Sequence, residues 1–197
     1  MPKAKHDGQQ GSDMVLRQVG VVKSPLTEPS LVPEHGDLAW KRRAGRAAEE
    51  RTVVSEIWID AAYTGILDGI EAFSHILVLY WAHRISEEGR SIVKAHPMGR
   101  KDLPLVGIFA TCSPARPNPL CAIVVRLLER SGNRLKVEGL DAIDGSPVID
   151  IKPYNPSYYS VDTVRIPPWL EQIHRELEAG SISDHPTTGD KSHKHGR

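Results

Sequence analysis

The sequence has little cysteine and no long apolar run, and each shortage excludes a class of protein. Its two cysteines, Cys112 and Cys121, are too few for a disulfide framework and lack the spacing of a zinc site. The longest apolar run, residues 76–82, is far too short to cross a bilayer. The first residues contain no apolar segment that would direct secretion. We therefore expect a cytoplasmic protein that binds no metal and does not span a membrane.

Two further absences concern nucleotide binding. No Gly-x-Gly-x-x-Gly segment follows a strand pattern, so the phosphate-binding signature of Rossmann folds is missing. There is no excess of positive charge, because 25 Lys and Arg residues balance 25 Asp and Glu residues, whereas nucleic-acid binders normally present a basic surface. Basic residues do gather in two stretches, which comprise Lys41, Arg42, Arg43 and Arg46, and then Arg84, Arg90, Lys94, His96, Arg100 and Lys101. Solvated loops and a polyanion-binding surface are both consistent with these stretches.

The residue pattern predicts a mainly β protein. Short segments rich in Val, Ile and Leu, most of them bounded by turn-forming residues, indicate seven strands, at residues 16–23, 52–59, 74–82, 106–111, 121–129, 134–142 and 148–152. Such a series favours a single-domain β-barrel over residues 14–180. Residues 168–179 predict a short C-terminal helix, and residues 61–68 a weaker helical turn. The polar residues 1–13 and 181–197 predict disordered tails.

Three prolines mark a loop between two predicted strands. Pro114, Pro117 and Pro119 frame Arg116 and Asn118, and each proline fixes φ and removes a backbone donor. We therefore expect a stiff loop that presents one guanidinium and one amide. An arginine placed in this way can stack on a base or bind a phosphate or carboxylate. A salt bridge that only holds the loop in shape is the alternative.

Three other groups of residues each allow a structural and a functional interpretation. Asp144-Gly145 between apolar segments is typical of a hairpin, although Asp141 and Asp144 would also suit a positively charged cofactor with hydroxyl and amino groups. His75, at the start of the most apolar strand, is by its position more typical of a hydrogen-bonded core residue than of a catalyst. Lys152 and Tyr154 suit base stacking and rim packing equally.

Four sequence blocks, in order and at consistent spacing, carry a family resemblance. They read QVGVVKSP at 18–25, GIEAFSHI at 69–76, FATCSPARPNP at 109–119 and DAIDGSPVIDIKPY at 141–154. The chain resembles the YaeB-like or TsaA-like (TrmO-type) family of tRNA N6-methyltransferases. The resemblance implies a β-barrel enzyme that uses S-adenosyl-L-methionine, acts on tRNA and forms a homodimer. Its implied reaction is methylation of N6 of threonylcarbamoyladenosine, next to the anticodon.

The resemblance also assigns roles to individual residues. The implied cofactor-binding residues are Ser24, Pro25, Leu26, Ser74, His75, Cys112, Ala122, Asp141, Ala142, Ile143 and Asp144. By the chemistry of their side chains, Arg116, Asn118, Lys152 and Tyr154 are the expected substrate-binding residues. Because the acceptor nitrogen must lose a proton, we expect either Asp144 or His75 to act as the base.

One substitution keeps other functions open. Cys112 stands where the family motif usually has an arginine, which removes a cation and several hydrogen-bond donors. A non-catalytic barrel that binds S-adenosyl-L-methionine as a sensor or interaction module is therefore one alternative. Methylation of another small substrate is a second alternative, and nucleophilic catalysis by Cys112 is a third.

Overall fold

Six antiparallel strands close into a barrel in the computed structural model, which describes residues 14–40 and 52–179. The barrel strands are β1 (Gly20–Lys23), β4 (Val54–Ile59), β5 (His75–Trp81), β8 (Leu120–Ser131), β9 (Arg134–Glu138) and β10 (Pro147–Pro153). Their order around the barrel is β1-β10-β5-β8-β9-β4. The prediction of a mainly β barrel is confirmed. The predicted tails and the basic stretch at residues 41–46 lie outside the described residues.

The barrel closes around a core that the alternation in its strands produces. In β5, residues Ile76, Val78 and Tyr80 point inward, whereas the residues between them are only half-buried. This period of two is what a pleated strand with one face in the core requires. Fully buried aliphatic residues from the other barrel strands complete the core, among them Val22, Ile57, Val125, Leu135, Val137 and Val148.

Smaller elements lie between the barrel strands. A hairpin of β2 (Leu31–Glu34) and β3 (Asp37–Trp40) turns at His35 and Gly36, which both have positive φ, as its tight turn requires. The pair β6 (Lys94–Ala95) and β7 (Val106–Gly107) follows. The helices are α1 (Glu87–Arg90), α2 (Pro156–Tyr159) and α3 (Pro168–Glu178), with 3-10 turns at Ala61–Tyr63, Ile70–Ala72, Pro97–Gly99 and Ile108–Ala110. None of the helices in the described residues is long and apolar enough to span a membrane.

The C-terminal helix is confirmed, whereas the strand expected at residues 106–111 is wrong. Only Val106–Gly107 is extended there, and it pairs with β6 outside the barrel. The next residues form a 3-10 turn, in which the backbone N–H and the hydroxyl of Thr111 both donate to the carbonyl of Ile108. These local hydrogen bonds replace a strand ladder. The sequence reasoning also missed the β2–β3 hairpin.

Candidate functional site

One end of the barrel opens into a cavity of about 510 Å³, within the size range of small-molecule sites. Several parts of the chain form its wall. Strands β5 and β8 contribute Tyr80 and Ala122, Ala82 follows β5, and the turn before β10 contributes Asp141, Ala142, Ile143 and Ser146. The proline-framed loop contributes Thr111, Cys112, Ser113, Pro114 and Arg116, residues near the first turn contribute Pro29, Ser30 and Leu31, and helix α3 contributes Trp169, Leu170 and Ile173. Most of these side chains are apolar, and a few polar groups converge among them.

The turn between β9 and β10 is docked on the end of β1. The backbone N–H of Asp144 donates to the carbonyl of Leu26 at 2.7 Å, and its carboxylate accepts from the backbone N–H of Ser24 at 3.1 Å. Gly145, with φ of 78°, donates to the carbonyl of Val22 at 2.9 Å. The structure therefore brings together two predicted segments, 24–26 and 141–144. Residues 141–143 line the cavity. Asp144 does not line it, and its carboxylate accepts from the backbone N–H of Ser24.

Asp141 is the carboxylate of the cavity wall, and Tyr80 orients it. The Tyr80 hydroxyl donates to Asp141 Oδ1 at 2.8 Å. Burial, with the negative charge of Asp141, raises the pKa of Tyr80, so its hydroxyl stays protonated and keeps donating. Cys121, paired with Tyr80 across β5 and β8, has a thiol whose pKa is raised by burial. This part of the wall therefore holds one oriented carboxylate beside neutral groups.

Two polar atoms of the wall residues are buried without a hydrogen-bond partner among the described residues. One is the hydroxyl of Ser146, a residue with no exposed surface, and the other is Nε of Arg116. Leaving a buried polar atom unpaired costs about 1–3 kcal/mol, so native proteins rarely do so without a reason. Both residues line the cavity. A bound ligand that offers hydrogen-bonding groups would satisfy them.

The proline-framed loop is held by its own arginine. Nη2 of Arg116 donates to the carbonyl of Thr111 at 2.6 Å, and the guanidinium lies 5.8 Å from the centre of the Phe109 ring. Arg116 therefore shapes the loop through backbone contacts and also reaches the cavity. Cys112 is exposed at the cavity wall. Asn118 is exposed and lies outside the cavity wall. Its backbone carbonyl accepts from the N–H of Leu120.

The remaining predicted residues lie at the opposite end of the barrel strands. His75 begins β5, and Tyr80 lies five residues along it, about 16 Å away at the usual rise per residue. Ser74 Oγ lies 2.9 Å from His75 Nδ1, and both residues are exposed. The backbone N–H of Tyr154 donates to the carbonyl of His75 at 3.1 Å. The structure thus groups these residues with one another and does not bring them to the cavity.

Aromatic and charged contacts complete this second group. The Tyr154 and Tyr159 rings stack with centres 5.4 Å apart, and Lys152 pairs with Asp150 at 2.6 Å. The pKa of Lys152 is raised by that hydrogen bond. Both contacts are local, so they are consistent with packing at the barrel rim as well as with a surface on which a nucleobase stacks.

Sequence reasoning missed His83, which lies beside the docked turn. A Cβ atom on Gly145 would lie 4.0 Å from its Nε2, and its neighbours Ala82 and Arg84 line the cavity. Burial, then the charge of Arg84, lowers the pKa of His83, whereas Asp144 opposes the shift. The imidazole is therefore neutral at neutral pH. The sequence feature that could have identified His83 is its position directly after the most apolar strand.

The second basic stretch is occupied with ion pairs. Arg84 contacts Glu28, and Arg90 contacts Glu87 at 3.2 Å. Asp37 accepts hydrogen bonds from Lys101 and from the His96 side chain and backbone. Burial opposes the shift, but these bonds hold the pKa of Asp37 well below its usual range. These side chains therefore stabilise the loops around the cavity, as solvated loop residues would.

Comparison with known proteins places the chain in a family. Residues 21–160 match the tRNA-methyltransferase O N-terminal domain. A probable S-adenosyl-L-methionine-binding protein of Methanothermobacter thermautotrophicus is 44% identical over 155 residues, covering 78% of this chain and 98% of that protein. A probable S-adenosyl-L-methionine-binding protein of Archaeoglobus fulgidus is 41% identical over 159 residues, covering 81% of this chain but only 38% of that protein.

More distant matches agree with these. The tRNA (adenine(37)-N6)-methyltransferase of Escherichia coli is 34% identical over 152 residues, covering 74% of this chain and 59% of that protein. A crystal structure of TrmO has a TM-score of 0.58 at 24% identity, covering 87% of this chain and 81% of that one, which supports the fold alone. The sequence match, together with the barrel and its cavity, shows that this chain belongs to the family of the tRNA-methyltransferase O N-terminal domain.

Proposed function

We propose that this chain is an S-adenosyl-L-methionine-dependent methyltransferase that methylates N6 of threonylcarbamoyladenosine next to the tRNA anticodon. The observation that carries the proposal is the cavity, whose wall combines the oriented Asp141 carboxylate with Arg116. The names of the relatives support it, since several are S-adenosyl-L-methionine-binding proteins and one is a tRNA adenine N6-methyltransferase. A tRNA substrate in turn implies a cytoplasmic location.

The residues present fit the proposed cofactor. A volume of about 510 Å³ accommodates a nucleoside with an amino-acid side arm, and the apolar wall suits the faces of its purine. The Asp141 carboxylate can accept from its hydroxyl or amino groups and stabilise a positive sulfur. The unpaired hydroxyl of Ser146 offers a further donor and acceptor. The donor set therefore matches a cation that carries several hydrogen-bonding groups.

The chain contributes mainly positioning to the reaction. When bound, S-adenosyl-L-methionine supplies an electrophilic methyl group on a sulfonium sulfur. Asp141, oriented by Tyr80, provides negative charge next to the positive sulfur. The stiff loop around Arg116 presents a guanidinium to the acceptor's carboxylate. Fixing both reactants for in-line transfer is where most of the rate enhancement arises in such displacements.

A base is also needed, because the acceptor nitrogen loses a proton during attack. Asp144 remains the candidate base among the residues singled out from the sequence, although its carboxylate accepts from Ser24. The neutral imidazole of His83 lies beside the same turn and can accept a proton; like Asp144, it lies next to the cavity wall and not in it. His75, at the far end of β5, would serve only if a second subunit brought it to the cavity.

The proposal is tested by methyl transfer from labelled S-adenosyl-L-methionine to tRNA that carries threonylcarbamoyladenosine. We expect the label on N6 of that nucleoside in mass analysis, and no transfer to tRNA that lacks the modification. Cofactor binding without any transfer to tRNA would favour the non-catalytic module, which the cysteine at position 112 supports. Transfer to a small molecule instead would favour the second alternative.

A further inference from the structure

Helix α3 forms one wall of the cavity, although it lies beyond the part of the chain that matches the family. The family match ends at residue 160, and the helix spans Pro168–Glu178. Trp169, Leu170 and Ile173 line the cavity, and Ile173 is only 5% exposed. These positions fall on one face of a helix, since residues three and four apart are neighbours. Arg175 lies on the opposite side of the helix and is exposed.

An ion-pair cluster fixes this helix to the rest of the site. Glu176 contacts Arg100, and Arg100 also contacts Asp102 at 2.6 Å. The side chains of Arg100 and Glu176 are 14% and 26% exposed, so the pair is partly shielded from water. Gln172 adds a hydrogen bond to Glu176 at 2.8 Å. Arg100 directly follows the turn that holds Met98, which itself lines the cavity. The helix is therefore fixed to the Pro97–Gly99 turn, another part of the wall.

The chemistry of Trp169 points to a flat, apolar ligand group. An indole provides a rigid aromatic face and loses little conformational entropy when it packs against a ring. Aromatic side chains that stack on a nucleobase contribute about 1–3 kcal/mol per base. A purine in this cavity would meet Trp169 on one side and the apolar residues Leu120 and Ile143 elsewhere in the wall.

We infer that Trp169 is a specificity-determining residue that packs on a purine bound in the cavity. This inference rests on the proposed function, in which both the cofactor and the acceptor nucleoside carry an adenine. The shared chemistry is therefore an adenine ring, and the test distinguishes its two sources. Residues outside the family match would then tune a site whose other walls lie within it.

The test compares Trp169→Ala, Trp169→Phe and the control Arg175→Lys, which keeps the charge and changes the exposed side of the same helix. Calorimetry with S-adenosylhomocysteine measures the cofactor source, and KM for threonylcarbamoyladenosine-containing tRNA measures the acceptor source. We expect Trp169→Ala to weaken one of these by about tenfold, as expected for loss of a stacked aromatic ring. Phenylalanine should retain most of the affinity, and Arg175→Lys should match the parent protein. Circular dichroism and thermal unfolding check that each variant is folded.

Each outcome decides between the possibilities. A tenfold loss of S-adenosylhomocysteine affinity assigns the purine to the cofactor, and a tenfold rise in KM alone assigns it to the acceptor. Unchanged values for folded Trp169→Ala, in a parent protein that binds and methylates, would overturn this inference alone. Tighter binding by that variant would overturn it too, because the helix would then obstruct the cavity. A parent protein that neither binds nor methylates would overturn the proposed function and this inference together.

Discussion

At the scale of single residues, we expect the Asp141 carboxylate to favour binding of positively charged ligands in the cavity. We predict that Asp141→Asn weakens binding of S-adenosyl-L-methionine more than binding of S-adenosylhomocysteine, because only the former carries a positive sulfur. Asparagine keeps an oxygen that can accept from Tyr80, so the change isolates the charge. The difference should be up to about fivefold, the order expected of a solvent-accessible charge pair. Calorimetry with both ligands measures it.

The matched control is Asp144→Asn. Asparagine keeps an oxygen that can accept from the backbone N–H of Ser24, and the charge it removes lies outside the cavity wall, so both ligands should be affected equally. Equal losses for the two ligands in Asp141→Asn would contradict a role for its charge.

The two cysteines differ in exposure, and we expect the exposed Cys112 to be alkylated faster than Cys121. Cys112 is exposed, whereas Cys121 is partly buried and its thiol pKa is raised by burial. Alkylation requires the thiolate, so the rate at Cys121 should keep rising with pH above the range where an ordinary thiol has already ionised. Iodoacetamide labelling with peptide mass analysis from pH 7 to 10, a range chosen around an ordinary thiol pKa of about 8.5, measures both rates.

Because both cysteines line the cavity, S-adenosylhomocysteine should slow labelling at each. In the Cys112→Ser variant only Cys121 can be labelled, so the rate at the slower cysteine is measured by itself. Labelling that the ligand leaves unchanged at both positions would place the bound cofactor elsewhere.

At the scale of elements, the turn Pro97–Gly99 joins the β2–β3 hairpin to the cavity. Gly99 has φ of 71°, and a Cβ atom there would lie 2.3 Å from the carbonyl oxygen of Leu38. Its neighbour Met98 also has positive φ and lines the cavity. The chain passes so close to β3 at this point that only glycine fits.

We predict that Gly99→Ala destabilises the protein by more than 2 kcal/mol, because a backbone clash adds to the conformational cost. Gly36→Ala is the matched control. Its φ of 75° is similar but nothing lies within 4 Å, so about 1–2 kcal/mol is expected. Urea unfolding measures both variants. Equal destabilisation would show that the turn can move away from β3 at little cost.

At the scale of the whole molecule, zero net charge leaves one barrel poorly suited to hold tRNA. Several cations near the cavity are already paired, as Arg100 is with Asp102 and Glu176. We therefore propose a homodimer, in which two chains would pool their basic stretches around one groove. It would also allow His75 of one barrel to approach the cavity of the other.

We predict a mass of two chains in light scattering and tRNA affinity that falls steeply as salt rises, because bound counterions are released. Mixing Asp141→Asn subunits with His75→Ala subunits adds a sharper test. Their activity should recover only if one site uses residues of both chains. A monomer that binds no tRNA at low salt would contradict the proposal and favour the non-catalytic module.

The strand pattern and the family were predictable from the sequence, and so was part of the site. Alternation in β5 and the turn residues at 141–147 depend on near neighbours, which the chain order itself records. The resemblance put residues 24–26, 74–75 and 141–144 in one cofactor site; the hydrogen bonds of Asp144 join the first and last of these segments, whereas Ser74 and His75 lie at the other end of the barrel. The strand at residues 106–111 failed because an apolar run does not distinguish a strand from a 3-10 turn, of which only Ile108 is buried here.

Only the tertiary structure decided which end of each strand faces the cavity. His75 and Tyr80 belong to the same strand, and barrel closure puts Tyr80 beside Asp141 while it leaves His75 at the other end. The wall formed by α3 is equally a product of long-range packing, through Arg100 and Glu176. The sequence by itself determined most of the barrel strands, the turn at 141–147 and the spacing of the four motif blocks, because those follow from local patterns. Their meeting in space depended on barrel register and side-chain packing between distant segments, which local patterns do not encode.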